Sequence, residues 1–298
     1  MNEHASENPM SLVAVNVGNT RTRLGLFESG LLEQSSAHPN SDLEVVSRSI
    51  IELAKGTGAL GLPRLVVLAS VNAPVANQLM TLITAEIPRE RIFRLGSDLP
   101  IPIQNGLEDD STVGQDRLLA ALGAFSRAKQ ACVVIDAGTA VTVDFVDGTG
   151  VFQGGAIGPG LNMMLKALHE QTAALPRMEF KTPDPARGPF GKDTAHAMIL
   201  GVRASVIGMA RLLIDTYADA FGAYPQVVAT GGDAAIFEED PLVEHIVPDL
   251  VLMGIAEACR RALMDDPQEE LDREHRDRVN RPSGFEQRPG SEDGASDE

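Results

Sequence analysis

The sequence predicts an α/β protein built from two similar halves. Three observations lead there. Apolar, β-branched runs alternate with segments whose apolar residues fall at helical spacing. One compound pattern occurs twice, at 12–28 and 131–146: a strand ends in an acid or amide, then x–Gly–(x)–Thr, and hairpins into a second strand. The length of 298 residues also fits two domains at about 150 residues each.

Residues 1–10 are polar and are expected to form a flexible N-terminus. The first half is expected over 11–110. SLVAVNVGN (11–19) is apolar and β-branched, a strand closing in a Gly-Asn turn, and TRTRLGLFE (20–28) alternates as its hairpin partner. GLLEQSSA (30–37) can add a third strand. DLEVVSRSIIELA (42–54) has helical spacing, PRLVVLASV (63–71) is a buried strand, and NAPVANQLMTLITAE (72–86) is a helix. Around Pro100 and Pro102 the periodicity breaks, so 101–110 reads as a linker.

The second half is expected over 111–264. VGQDRLLAALGAFSRA (113–128) is a helix that starts near Gly114. ACVVIDAGTAVTVDFVD (131–147) repeats the opening strand and hairpin, and GVFQGGAIGPG (150–160) supplies another strand. LNMMLKALHEQTA (161–173) is a helix, 181–192 a Pro- and Gly-rich surface loop, and 194–221 a long amphipathic helix. QVVATGGDA (226–234) is a strand closing in a Gly-Gly turn, and 248–264 is the last helix. Residues 265–298 carry 12 acidic and 5 basic side chains and few large apolar groups, the composition of a disordered acidic tail.

Composition removes several functions. The net charge is −17, so a polyanion such as DNA meets a repulsive average field, and nucleic acid is not an expected partner. Cys132 and Cys259 are too few for a disulfide framework or a zinc cluster, and both read as buried thiols. No run of about 18 apolar residues is present, and the N-terminus lacks the regions of a signal peptide. The expected setting is cytoplasmic, without a membrane. The six histidines show no ligand spacing, and His169 and His196 read as interface or surface residues. Met163, Met164 and Met198 read as core.

Two nucleotide motifs fail on context. GTGALG (56–61) follows a helix and precedes a strand, the reverse of a dinucleotide-binding turn. GPFGKDT (188–194) has Ala186 where a Walker loop needs glycine and Asp193 where it needs Ser or Thr. The repeated hairpins are stronger. Asn16-Val17-Gly18-Asn19-Thr20 and Asp136-Ala137-Gly138-Thr139 combine small residues, threonine hydroxyls and an acid or amide. Backbone N–H groups there can approach phosphate, and the acid or amide can hold a metal-bound water. One such turn alone is better read as a simple tight β-turn; two, each closing an apolar strand in its own half, favour phosphate. Gly231 and Gly232 add a third turn, where a purine could lie against bare backbone. Asp116, in the first turn of its helix beside Arg117, serves either as a capping acid or as the group that takes a proton from a substrate hydroxyl. In the second reading Arg117 grips an anionic or polar substrate.

The order of these motifs resembles type III pantothenate kinases, members of the sugar kinase/heat-shock chaperone/actin superfamily. The resemblance rests on VNVGNTRTRLGLF, VGQDR, DAGTAVTVD, GGAIGPGLNMM, TAALP, GKDTAHAMILG, TGGDA and PDLVLMGI, in family order over about residues 12–264. It implies a duplicated ribonuclease H-like (actin-like ATPase) fold with the nucleotide site between two related halves. It implies ATP-dependent phosphorylation of pantothenate to 4′-phosphopantothenate, the first step of coenzyme A biosynthesis. By the same resemblance Asn16, Val17, Gly18, Asn19, Thr20, Arg21, Thr22 and Arg23 line the ATP phosphates, and Thr139 contacts the nucleotide. Gly114, Gln115, Asp116 and Arg117 contact pantothenate, with Asp116 the proton acceptor. Thr194 is a further substrate contact and Asp136 a monovalent-cation ligand. Magnesium, potassium or ammonium, and a homodimer with its active site near the subunit interface are implied as well. Two departures stand out: Asn16 replaces the usual Asp of the first phosphate motif, and Leu107 replaces a tyrosine common at the pantothenate site. The first departure keeps open a catalytically weakened nucleotide-binding regulatory homologue, and a kinase of another small hydroxylated substrate stays open because superfamily architecture alone does not fix the acceptor.

Overall fold

Alternation along two apolar strands organises the molecule. The structure, a computed structural model, describes residues 10–58 and 61–264; the expectations for residues 1–9 and for the acidic tail lie outside them. In β1 (Ser11–Val17) every residue except Asn16 is buried. Leu12 and Ala14 enter one core, while Val13, Val15 and Val17 enter another on the opposite face, as the two-residue period of a strand dictates. β6 (Cys132–Ala137) repeats this. Cys132 and Val134 enter the same core as Leu12, and Val133, Ile135 and Ala137 enter a third. A strand buried on both faces reads as a near-continuous apolar run.

Each of these strands centres a five-stranded sheet. β1 pairs antiparallel with β2 (Arg21–Glu28), which pairs antiparallel with β3 (Leu31–Pro39). On its other side β1 runs parallel to β4 (Leu65–Ser70), and β4 to β5 (Ile92–Arg94), giving the order β3-β2-β1-β4-β5. In the second sheet β6 pairs antiparallel with β7 (Ala140–Val146), and β7 with β8 (Phe152–Pro159). β6 then runs parallel to β9 (Gln226–Thr230), and β9 to β10 (His245–Ile246), giving the order β10-β9-β6-β7-β8. Both sheets are a three-stranded meander followed by two parallel strands. The fold is the expected α/β type, a duplicated ribonuclease H-like architecture.

Among the described residues, six α-helices cover the sheets. α1 (Leu43–Lys55) and α2 (Ala73–Thr84) are capped by Asp42 and Asn72, whose side chains accept from Val45 N and Val75 N. Their buried residues join Val13 and Val15. α4 (Leu161–Glu170) and α5 (Thr194–Phe221) cover the second sheet beside Val133 and Ile135. α3 (Gln115–Ala128) and α6 (Leu250–Met264) supply the core shared by the two sheets. These two helices touch at backbone level: a Cβ on Gly123 would lie 2.6 Å from Leu250 O, and one on Gly254 would overlap Leu119 O.

The structure also corrects some sequence expectations. β5 and β10 are too short to carry a periodic signal. Residues 101–110 are irregular, yet Ile101, Ile103 and Leu107 pack on the central core, and Gly106 N donates to Phe152 O at 2.9 Å. Met163 is 45% exposed because α4 buries Leu161 and Leu165, and Met163 lies off that face. His196 is only 3% exposed, because the first turn of α5 is folded inward. Its backbone N–H donates to the Asp193 cap, and its Nδ1 accepts from Lys192 N. Cys132 and Cys259 are buried free thiols, and burial pushes both up to about 12.

Candidate active site

Asn16 and Asp136 occupy matching positions in β1 and β6. By strand parity each shares the face of Leu12 and Ala14, or of Cys132 and Val134, which looks toward α3 and α6. Two residues further on, each strand reverses. Gly18 N donates to Arg21 O at 3.0 Å, and Gly138 N donates to Ala140 O at 2.9 Å. The two turns meet: the hydroxyls of Thr20 and Thr139 are 3.2 Å apart. The structure thus brings together the two hairpins that the sequence singled out.

The first hairpin is braced by Asn40, which sequence reasoning missed. Its Nδ2 donates to Gly18 O at 2.8 Å, its Oδ1 accepts from Thr22 Oγ1 at 2.8 Å, and its N donates to Thr20 O at 2.9 Å. Only a turn-forming residue after Pro39 hinted at this. Of the eight hairpin residues, Val17 and Thr22 are buried in the fold, whereas Asn19, Thr20 and Arg21 are exposed and Asn16, Gly18 and Arg23 half-buried. Arg23 Nη1 donates to Asp249 Oδ1 at 3.0 Å, beside the start of α6.

Gly231 brings the third turn to the second hairpin. Its φ is +96°, and a Cβ there would overlap Ala137 O and Asp136 Oδ1; Asp233 N donates to Ala137 O at 2.9 Å. Only glycine fits both the backbone and the approach. Gly232 has open space around it.

A charged cluster lies between the sheets. Gly114 caps α3 without a side-chain bond, and Asp116 Oδ1 accepts from the adjacent Arg117 N at 2.9 Å. Burial pushes the Asp116 carboxyl above its ordinary value, Arg117 opposes this, and Asp144 adds to it. Asp136 is pushed up to about 7 by burial and the Asp116 and Asp144 charges, with Arg23 pulling the other way. Arg117 Nε lies 3.1 Å from both Asp144 oxygens, and its guanidinium sits 5.5 Å from the Phe152 ring centre. Asp144, on β7, is 1% exposed; β8 passes so close that a Cβ on Gly155 would overlap Val143 O. Asp144 too was missed, although an acid inside an apolar strand was a visible signal.

Other expected site residues fall elsewhere. Gln115 directs its carboxamide to backbone groups of the first sheet. Leu107 is half-buried beside Gly154. Thr194 is exposed at the head of α5, where it lines an apolar groove of about 730 Å³ against α4. No described contact joins Thr194 to Asp116.

The donors present fit cations. Asp136 accepts no hydrogen bond from any described residue, which leaves its carboxylate free for a monovalent ion. Among the described residues, no three His, Cys, Asp or Glu converge to hold a metal. A divalent ion here would therefore draw most of its ligands from phosphate and water, as magnesium does at nucleotide sites.

Comparison with known proteins identifies a family. A sequence model of the type III pantothenate kinase family matches residues 12–216. A type III pantothenate kinase of Caulobacter vibrioides is 33% identical over 258 residues, covering 85% of this chain and 98% of the relative. One from Rhodopirellula baltica is 41% identical over 174 residues, covering 54% and 61%. In fold, the chain is similar to the crystal structure of a Campylobacter jejuni Baf family protein, described as a transcriptional activator, with a TM-score of 0.53 and 18% identity over 84% of this chain and 98% of that one.

Proposed function

The chain belongs to the type III pantothenate kinase family, and on that premise we propose that it transfers the γ-phosphoryl group of ATP to the primary hydroxyl of pantothenate, opening coenzyme A synthesis. The observation that carries the reading is the meeting of two phosphate-type hairpins beside Asp116, a half-buried carboxyl at the start of α3. Gly18 to Arg21 and Thr139 hold the phosphates, and the Gly231-Gly232 turn takes the purine. Asp116 orients the acceptor hydroxyl and collects its proton as the oxygen attacks phosphorus. In a loose transfer the proton leaves late, so a carboxylate suffices. Arg117 is locked by Asp144 through Nε and Nη2, and among the described residues no hydrogen bond takes Nη1, which is left for the substrate carboxylate.

When bound, magnesium and a monovalent cation neutralise charge on the transferring phosphates. Asp136 would hold the monovalent ion, and the Asn16 amide oxygen would accept from magnesium's water shell. Asn16 brings one negative charge fewer than Asp, which weakens the hold on the metal.

The protein acts as a homodimer in this reading. α5 is 28 residues long with a mean hydropathy of 1.8 in its most apolar stretch, of which only 28% is buried, and Leu212 is 67% exposed. Val202, Val206, Ala210 and Ile214 of the same helix pack on the second sheet, so its outer face suits a second copy in the cytoplasm rather than lipid. Thr194 then contacts substrate in the neighbouring copy's site, since within its own chain it faces the α4–α5 groove.

The test is a coupled ADP-release assay with pantothenate, magnesium and potassium, run also with other hydroxylated acceptors. ADP formation must depend on pantothenate. Asp116→Asn should lower turnover by about 10²- to 10⁴-fold with ATP affinity intact. ATP binding without turnover would favour a regulatory homologue, and preference for another acceptor would move the substrate assignment.

A further inference from the structure

We propose that Gln115 is a positioning residue: its carboxamide clamps the first turn of α3 to the parallel end of the first sheet and so sets Asp116 against the phosphate hairpin. The inference rests on the phosphoryl-transfer reading above and revises the place of Gln115 within it. Gln115 is the first helical residue of α3, immediately before Asp116, and the Gly114 cap offers no side chain to hold that turn.

Both ends of the carboxamide are used on main chain. Oε1 accepts from Ser70 N at 3.3 Å, and Nε2 donates to Leu95 O at 3.0 Å. Ser70 ends β4 and lies opposite Val17, the last residue of β1. Val71 N donates to Val17 O at 3.1 Å, and Gly18 begins the phosphate turn one residue later. One connected path therefore runs from Asp116 through Gln115 and the end of β4 to the hairpin. Leu95 follows β5, so the amide also ties together the ends of two neighbouring parallel strands.

The surroundings are shaped for this amide. Gly96 has φ +82°, and a Cβ there would overlap Gln115 Nε2. Ser70, Arg94 and Ser97 line the remaining space, a cavity of about 240 Å³. With its oxygen and one of its two N–H donors committed to the backbone, Gln115 acts through the placement of Asp116 rather than by touching pantothenate. Displacing a catalytic group by about 1 Å costs on the order of 10²-fold in rate, so the clamp acts on turnover.

Three variants test it: Gln115→Met, which keeps bulk and removes both bonds; Gly96→Ala, which pushes the amide aside; and the double variant. Gln115→Met should lower kcat by about 10- to 100-fold while KM for pantothenate and ATP stays within about twofold. Gly96→Ala should lower kcat in the same way and add little to Gln115→Met, because both remove one contact. Hydrogen exchange should quicken in the first turn of α3 and at Ser70–Asn72. A raised KM for pantothenate with unchanged kcat would make Gln115 a substrate contact and overturn the proposal. Additive losses, or exchange unaltered in both single variants, would overturn it as well. Failure of the wild-type protein to phosphorylate pantothenate would defeat the functional reading instead, and the exchange measurement would still decide the clamp.

Discussion

Removing Arg117 and Asp144 one at a time should destabilise the protein unequally, and removing both should cost less than the two losses added. Asp144 is 1% exposed and Arg117 has 15% of its side chain exposed. Arg117→Met strands a buried carboxylate; Asp144→Ala strands a guanidinium that still reaches some solvent and still faces Asp116. Breaking a buried pair from one side costs about 3–5 kcal/mol. We therefore expect the upper part of that range for Arg117→Met and about 3 kcal/mol for Asp144→Ala. In melting temperature, at about 2–4 °C per kcal/mol for a chain of this size, the Asp144→Ala loss is about 6–12 °C. The double variant leaves no stranded charge, so the coupling should exceed about 2 kcal/mol. Urea unfolding of all four proteins measures it. Repeating the series in about 0.5 M salt should change the coupling little, because buried pairs are poorly screened. A coupling below about 0.5 kcal/mol, or one abolished by salt, is the behaviour of an exposed pair and would refute the reasoning.

Three further outcomes follow from the same geometry. Because Asp136 is raised to about 7, the folded state holds its proton more tightly than the unfolded chain; that contribution is full in acid and is lost as pH rises toward 7. Unfolding without nucleotide or potassium should show stability falling by about 2–3 kcal/mol more in wild type than in Asp136→Asn between about pH 5 and 8; parallel curves would exclude it. Gly231→Ala should destabilise by more than about 2 kcal/mol, since it combines a positive φ with overlap on Ala137 O, and differential scanning calorimetry reads this directly. Asn16→Asp should lower the magnesium concentration needed for half-maximal turnover, and an unchanged metal titration would show that position 16 does not feel the ion.

Much of the architecture was legible because the central strands announce themselves. SLVAVNV and CVVIDA are apolar on both faces and end in matching turns, so the duplication, the hairpins and the covering helices could be read in order. What escaped was built from contacts distant in sequence or elements too small to have a period. β5 and β10 have three and two residues and exist only because a neighbour pairs with them. Asn40 looked like any turn residue until the chain reversal brought it back beneath Gly18. Gln115 looked like a member of a substrate motif, and only the ends of β4 and β5 show where its amide goes. Asp144 was visible as an acid in an apolar strand, but its partner lies 27 residues away on α3. His196 was misjudged because helical position alone does not tell which way a first turn is folded.

The glycine crossing of α3 and α6 limits how the two sheets can move. At Gly123 and Gly254 the helices meet through bare backbone, and sliding either helix by one residue would put a side chain where only a hydrogen fits. The contact therefore fixes the register of the two helices and, through the core they share, of the two sheets. Alanine at Gly123 or Gly254 would force the helices apart and so change the spacing of the two sheets from a position that touches neither hairpin.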